Sequence, residues 1–160
     1  MPELERLHGL RVVADPAALD VARWHGRDVT VLRFAPDDAF GIGAETVSVD
    51  DEHAIVEAEA GYVGAWLAVG DLEPHLEWPF PAERPALAQG AIAGVPGKVW
   101  LPADRPDDGP GTDPDAGPGT DPDAGPGADP DDVPGTRRAD ERALVLTAAA
   151  YAAELAGRLR

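Results

Sequence analysis

The chain has 160 residues, room for one domain or one domain with a tail, and its 44% of hydrophobic residues is enough for a core. Thirty acidic against 13 basic residues give a formal charge of −17, which sets the surface against nucleic acid and anionic membranes. There is no cysteine, which removes disulfides, thiolate nucleophiles and cysteine-ligated zinc together.

Residues 4–9 read as a short amphipathic lead-in, and Leu10–Ala14 as a short strand. Asp15 is placed to cap a helix with Pro16 in its first position. Ala17, Ala18, Val21, Ala22 and Trp24 then give that helix an apolar stripe ending near Gly26. Asp28–Phe34 reads as a strand with Val29, Val31 and Arg33 on one face and Thr30, Leu32 and Phe34 on the other, apolar enough on both to be central. Pro36-Asp37-Asp38 is turn chemistry, and Phe40–Gly43 returns as a hairpin partner whose glycines suggest close approach or bulging.

Val47–Val49 is strand-like and leads into the acidic turn Asp50-Asp51-Glu52. His53–Glu59 alternates as a strand, Gly61 ends it, and the near-continuous apolar run Tyr62–Val69 predicts a buried helix. Residues 70–85 are a Pro-rich connection. Leu87–Val95 and Gly97–Leu101 read as a hairpin, Ala143–Thr147 as a further strand, and Thr147 as the cap of a last helix lined by Ala148, Tyr151, Ala152, Leu155, Ala156 and Leu159. Each half thus shows a hairpin, a strand and a helix. The fold class expected is α+β: an antiparallel sheet with helices on one face, ferredoxin-like as its simplest form.

Residues 103–136 break this pattern. Pro110–Gly117 and Pro118–Gly125 both read PGTDPDAG, and Pro126–Val133 reads PGADPDDV. No apolar side chain larger than Ala occurs in the repeat before Val133, so nothing offsets the entropy of ordering it. We therefore expect one α+β domain formed by residues 1–102 and 137–160, interrupted by a disordered loop. Carboxylates two apart, as at Asp113 and Asp115, lack the distal Glu of a calcium loop.

Few residues offer chemistry. Asp51 and His53 share the acidic turn and His75 follows in the connection; these are the weak metal or general-base candidates, against the plainer reading of an acidic turn entering a strand. Gly94–Lys98 fails as a phosphate loop, with Ile92 where the first glycine belongs and Val99 where a hydroxyl belongs. Ser48, the only serine, sits in no nucleophile elbow. Lys98 is the only lysine; with abundant Asp and Ala this suits a high-salt, halophilic cytoplasm, although GC-rich codon usage favours several of the same residues. Met1–Glu5 has no basic region or apolar run, so neither a signal peptide nor a membrane span is expected, and the localisation expected is cytoplasmic.

Three segments carry a resemblance. Leu32–Gly43 resembles the strand–turn–strand "L-x-L-x-P-D-E" element of the gamma subunit of heterotetrameric sarcosine oxidase and of folate-binding, aminomethyltransferase-like proteins. Ala88–Leu101 is similar to that subunit's "A-Q-T-x-L-A-x-V-P-x-x-x-W" strand pair, and Leu144–Leu155 looks like its closing strand and helix. The repeat is foreign to the family pattern, and residues 44–80 match it poorly. The resemblance implies a non-catalytic accessory subunit without catalytic residues or cofactor of its own, packed against larger flavin- and folate-dependent chains. Trp66, Trp78 and Trp100 are the candidates for that interface, with core packing the alternative for each. A stand-alone domain binding a folate-like small molecule is the other reading, and an enzyme built around His53 or His75 a third.

Overall fold

The computed structural model describes residues 2–103 and 141–159. The described residues form a seven-stranded sheet with a few short helices, an α+β organisation. In chain order these are β1 (Glu5–Val13), α1 (Pro16–Asp20), β2 (Arg23–Ala35), β3 (Asp38–Ser48), β4 (Ile55–Ala68), α2 (Val69–Leu72), β5 (Ala86–Ile92), β6 (Val95–Leu101), β7 (Arg142–Ala148) and α3 (Ala152–Arg158). The sheet order is β2-β3-β1-β4-β7-β6-β5, and every pairing is antiparallel. Outward from the central β4–β7 pair lie β1, β3 and β2 on one side and β6 and β5 on the other, so the two hairpins anticipated from sequence occupy the two ends.

One face of the sheet carries the helices. Leu155 and Leu159 at the chain's end join Val69 and Leu72 of α2 against Val99, Leu101 and Val145. Leu19 of α1 packs with Val12, Ala14 and Ala39 further along that face. The alternate residues Leu32, Leu144 and Leu146 form a separate cluster with Phe34, Tyr62, Leu87 and Trp100. Period-two alternation thus feeds two apolar layers, and β7, buried from Ala143 to Thr147, contributes to both. The sheet is curled: the Gln89 side chain on β5 donates from Nε2 to the Phe34 carbonyl on β2 at 2.8 Å, joining the two edge strands of the sheet. The cluster of Leu32, Leu144 and Leu146 lies on the concave side of this curl.

Local signals hold where they were chemical. Asp15 caps α1, its Oδ1 accepting from the Ala17 N–H at 2.9 Å with Pro16 in the first turn. The β2–β3 turn falls at Pro36-Asp37, and Val31 and Leu32 face opposite layers as their alternation requires. Gly43 has φ +76°, and a Cβ there would fall 2.4 Å from the Arg27 carbonyl oxygen; the β2–β3 register shifts between Gly26 and Thr30, the bulge suggested by the glycines.

Other expectations are corrected. Tyr62–Val69 is almost wholly strand: β4 runs unbroken through Gly61, pairing Tyr62–Gly64 with β1 and Tyr62–Ala68 with β7. An apolar run between two partners serves a buried strand as well as a helix, and here both neighbours recruit it. The α1 helix stops at Asp20, and Trp24 and His25 lie in β2, opposite Val47 and Thr46. β2 is an edge strand, its second apolar face covered by the curl and not by a neighbouring strand. Residues 4–9 belong largely to β1. The chain turns at Ala93-Gly94, both at positive φ, two residues before the anticipated end of the β5 strand. Thr147 lies in β7 and caps no helix; its hydroxyl donates to the Pro96 carbonyl at 2.7 Å.

The Asp/Pro/Gly repeat lies outside the described residues. Its flanking strands β6 and β7 pair directly, Trp100 with Leu144 and Lys98 with Leu146. Among the described residues no helix is long and apolar enough to cross a membrane.

Candidate functional site

The concave face gathers charged and aromatic side chains from five strands. Arg11 on β1 meets Asp38 on β3 through two hydrogen bonds, Nε to Oδ1 at 3.0 Å and Nη2 to Oδ2 at 2.6 Å, with Glu59 of β4 at 3.6 Å. The hydrogen bond to Asp38 holds the guanidinium pKa above its ordinary value. Phe34, Phe40 and Tyr62 form a cluster with ring centroids 5.3–6.0 Å apart. Two cations lie against Phe34: Arg11, its Cζ 5.7 Å from the ring centroid, and Lys98, its Nζ 4.6 Å from it.

Lys98 projects from β6 opposite Gln89, and its ammonium donates to Gln89 Oε1. Burial lowers the lysine pKa from its usual value, the Arg11 charge lowers it further, and Asp38 works the other way. Burial raises the Tyr62 phenol, Glu59 and Asp38 add to that, and Arg11 opposes it. A cleft of about 550 Å³ opens at one side of this group, lined by Tyr62, Gln89, Lys98, Leu146, Thr147 and Tyr151 among others. Its volume suits a small organic molecule. Two cations, one already matched by carboxylates, beside a cluster of tilted rings and a side-chain amide suit a planar molecule bearing oxygen acceptors.

The residues singled out from sequence lie elsewhere. Asp51 ties a loop: Oδ2 accepts from the Asp15 N–H and Oδ1 from the His53 N–H, both at 2.8 Å. These two bonds lower its carboxyl pKa. The stability they contribute is present above the unfolded carboxyl pKa and is lost as pH falls through the lower folded one. We expect Asp51 to titrate below the ordinary aspartate range when its carboxyl resonance is followed by NMR; a normal Asp51 midpoint would show the loop contacts to be absent in solution. The His53 ring is 86% exposed, with Nε2 3.6 Å from Glu52. His75 lies in a short 3₁₀ turn, where its carbonyl accepts from Ala93 N–H at 2.6 Å. Among the described residues no group of three or more His, Cys, Asp or Glu side chains converges as a metal site.

The three tryptophans diverge. Trp66 on β4 is 42% exposed, beside a second hollow of about 430 Å³ that also touches Leu67 and Arg142. Trp100 packs into the concave-face cluster. Trp78 packs against the helix-bearing core and edge-on to Phe80, with its buried Nε1 lacking a hydrogen-bond partner. The site residues missed from sequence are Arg11, Phe34, Tyr62, Gln89 and Lys98. Only the single lysine was a signal, and its context pointed to a phosphate loop that failed. Searches against family models, curated proteins and solved structures return no match for this chain.

Proposed function

We propose that this chain is a binding subunit with no reaction of its own to catalyse, which takes a small planar molecule of folate-like character in the concave cleft. The observation that carries this reading is the placement of Lys98, its amine resting on Phe34, beside Tyr62 and Gln89 in the lining of a molecule-sized cleft. The three segments that resemble the sarcosine oxidase gamma subunit lend it support, because they meet here. Phe34 belongs to the first, Gln89 and Lys98 to the second, and Leu146, Thr147 and Tyr151 to the third. On this reading the chain sits beside larger flavin- or folate-dependent subunits in the cytoplasm of a salt-adapted cell, and its curled sheet is a ferredoxin-like arrangement widened by added strands.

Titration with folate at molar salt, where the charge of −17 is screened, tests the cleft. We expect saturable shifts at the NMR signals of Gln89, Lys98 and Tyr62. Lys98→Gln should weaken binding about tenfold, the cost of one charge-assisted hydrogen bond. Shifts confined to other surfaces would remove the reading.

A purely protein-docking role is the second reading. It is favoured by exposed Trp66 and by the cross-strand pair Val13–Ile55, 36% and 56% exposed, at the far end of the β1–β4 ladder. It predicts recovery of the chain with a flavoprotein from a molar-salt lysate and no response to folate.

A further inference from the structure

Lys98 is the only lysine in the sequence, and its amine has an unusual setting. Nζ rests over the face of Phe34 and donates to a neutral acceptor, Gln89 Oε1. The Arg11 guanidinium lies against the same ring, with Asp38 and Glu59 around it and the Tyr62 ring packed at a tilt beside Phe34. Burial and the neighbouring Arg11 charge favour the uncharged amine and outweigh the opposing Asp38 charge. That is the form with a free lone pair, and lysines in such surroundings become nucleophiles.

The cleft above the amine selects a reactant. Its walls include the apolar side chains of Leu146, Ala91 and Pro96. Tyr62 and Tyr151 offer flat surfaces to a ring. A neutral molecule enters such walls without the cost of desolvating a charge.

We propose that Lys98 is a carbonyl-capture site, which binds small neutral aromatic aldehydes in the cleft as a reversible imine. The Nζ lone pair attacks the carbonyl carbon, and the carbonyl π electrons move to oxygen. The resulting carbinolamine loses that oxygen as water together with the two amine hydrogens, leaving a C=N bond to Nζ. No oxidant, reductant or cofactor is consumed, and hydrolysis returns both partners. The inference rests on reading the concave cleft as a small-molecule site and names a class of ligand for it.

Reductive trapping tests it. The full chain at molar salt and neutral pH is treated with benzaldehyde and cyanoborohydride, and benzyl adducts are located by peptide mass spectrometry. The sequence offers two amines, Lys98 and the N-terminus. Lys98 is expected to be trapped severalfold faster than the side chain of a blocked lysine amide, because burial and the Arg11 charge lower its pKa. Lys98→Arg should abolish that adduct and leave the terminal one. Ala91→Trp, which fills the cleft and keeps the amine, should slow trapping at Lys98 severalfold in a chain that still shows native circular dichroism. Trapping at the lysine-amide rate, at the N-terminus alone, or unchanged in Ala91→Trp overturns the proposal. Folate binding without benzaldehyde capture would remove the imine and keep the cleft. Capture that needs Ala91 open, without folate binding, would keep both the cleft and the imine and remove the folate-like ligand.

Discussion

Gly9→Ala is expected to lower stability by about 3 kcal/mol, near the upper end for forcing atoms into a packed site. Gly9 lies on β1, paired with Ile42 of β3 and Glu59 of β4, next to the register shift between Leu7 and Gly9. A Cβ at this position would fall 1.9 Å from the Gly41 carbonyl oxygen and 2.9 Å from its carbon. Those are backbone atoms inside a strand, so no side-chain rotation relieves the clash, and β1 must part from β3. The fold cannot tolerate this at its periphery alone, because β1 joins the β2–β3 hairpin to the rest of the sheet. Gly157→Ala in α3 is the matched control: nothing lies within 4 Å of the added methyl, and the lower backbone entropy of Ala should contribute about 0.5–1 kcal/mol. Urea melts of the two variants at molar salt should move in opposite directions. A Gly9→Ala midpoint equal to that of the parent chain would show the close β1–β3 approach to be wrong.

Leu146→Ala is the second large effect, expected to cost about 3–4 kcal/mol. Leu146 is fully buried on β7, between Gly64 of β4 and Lys98 of β6. Its side chain packs with Leu32 and Leu144 and also lines the cleft. Truncation removes apolar burial and leaves a void that the surrounding strands cannot close, since each is held by its ladder. Leu146→Met, which keeps the volume, should cost less than about 1.5 kcal/mol. Because the void would open from the cleft floor, Leu146→Ala should weaken folate binding, and Leu146→Met should leave it close to the parent value. Equal melting midpoints for Leu146→Ala and Leu146→Met would contradict the burial assigned to this residue.

The amino-acid order by itself determined those features that depend on neighbours in the chain. Asp15 followed by Pro16 is a helix start wherever it occurs, because the carboxylate reaches an N–H two residues on. Pro36-Asp37 turns the chain, and the alternation in Val31, Leu32, Arg33 and Phe34 assigns each side chain to a face. The last strand and helix were also legible, although Thr147 proved to pack against Pro96 where a cap was expected.

The tertiary structure decided the fate of Tyr62–Val69. Its apolar residues carry no period that separates a buried helix from a strand flanked on both sides, and pairing with β1 and β7 settled it. It also decided the site. Arg11, Phe34, Tyr62, Gln89 and Lys98 are scattered along most of the folded sequence and share no spacing. They meet because the sheet curls far enough for Gln89 to reach the Phe34 carbonyl, which brings β5 and β6 over β2. Curvature is a collective outcome of twist, bulges and packing over seven strands, and no local stretch of residues encodes it.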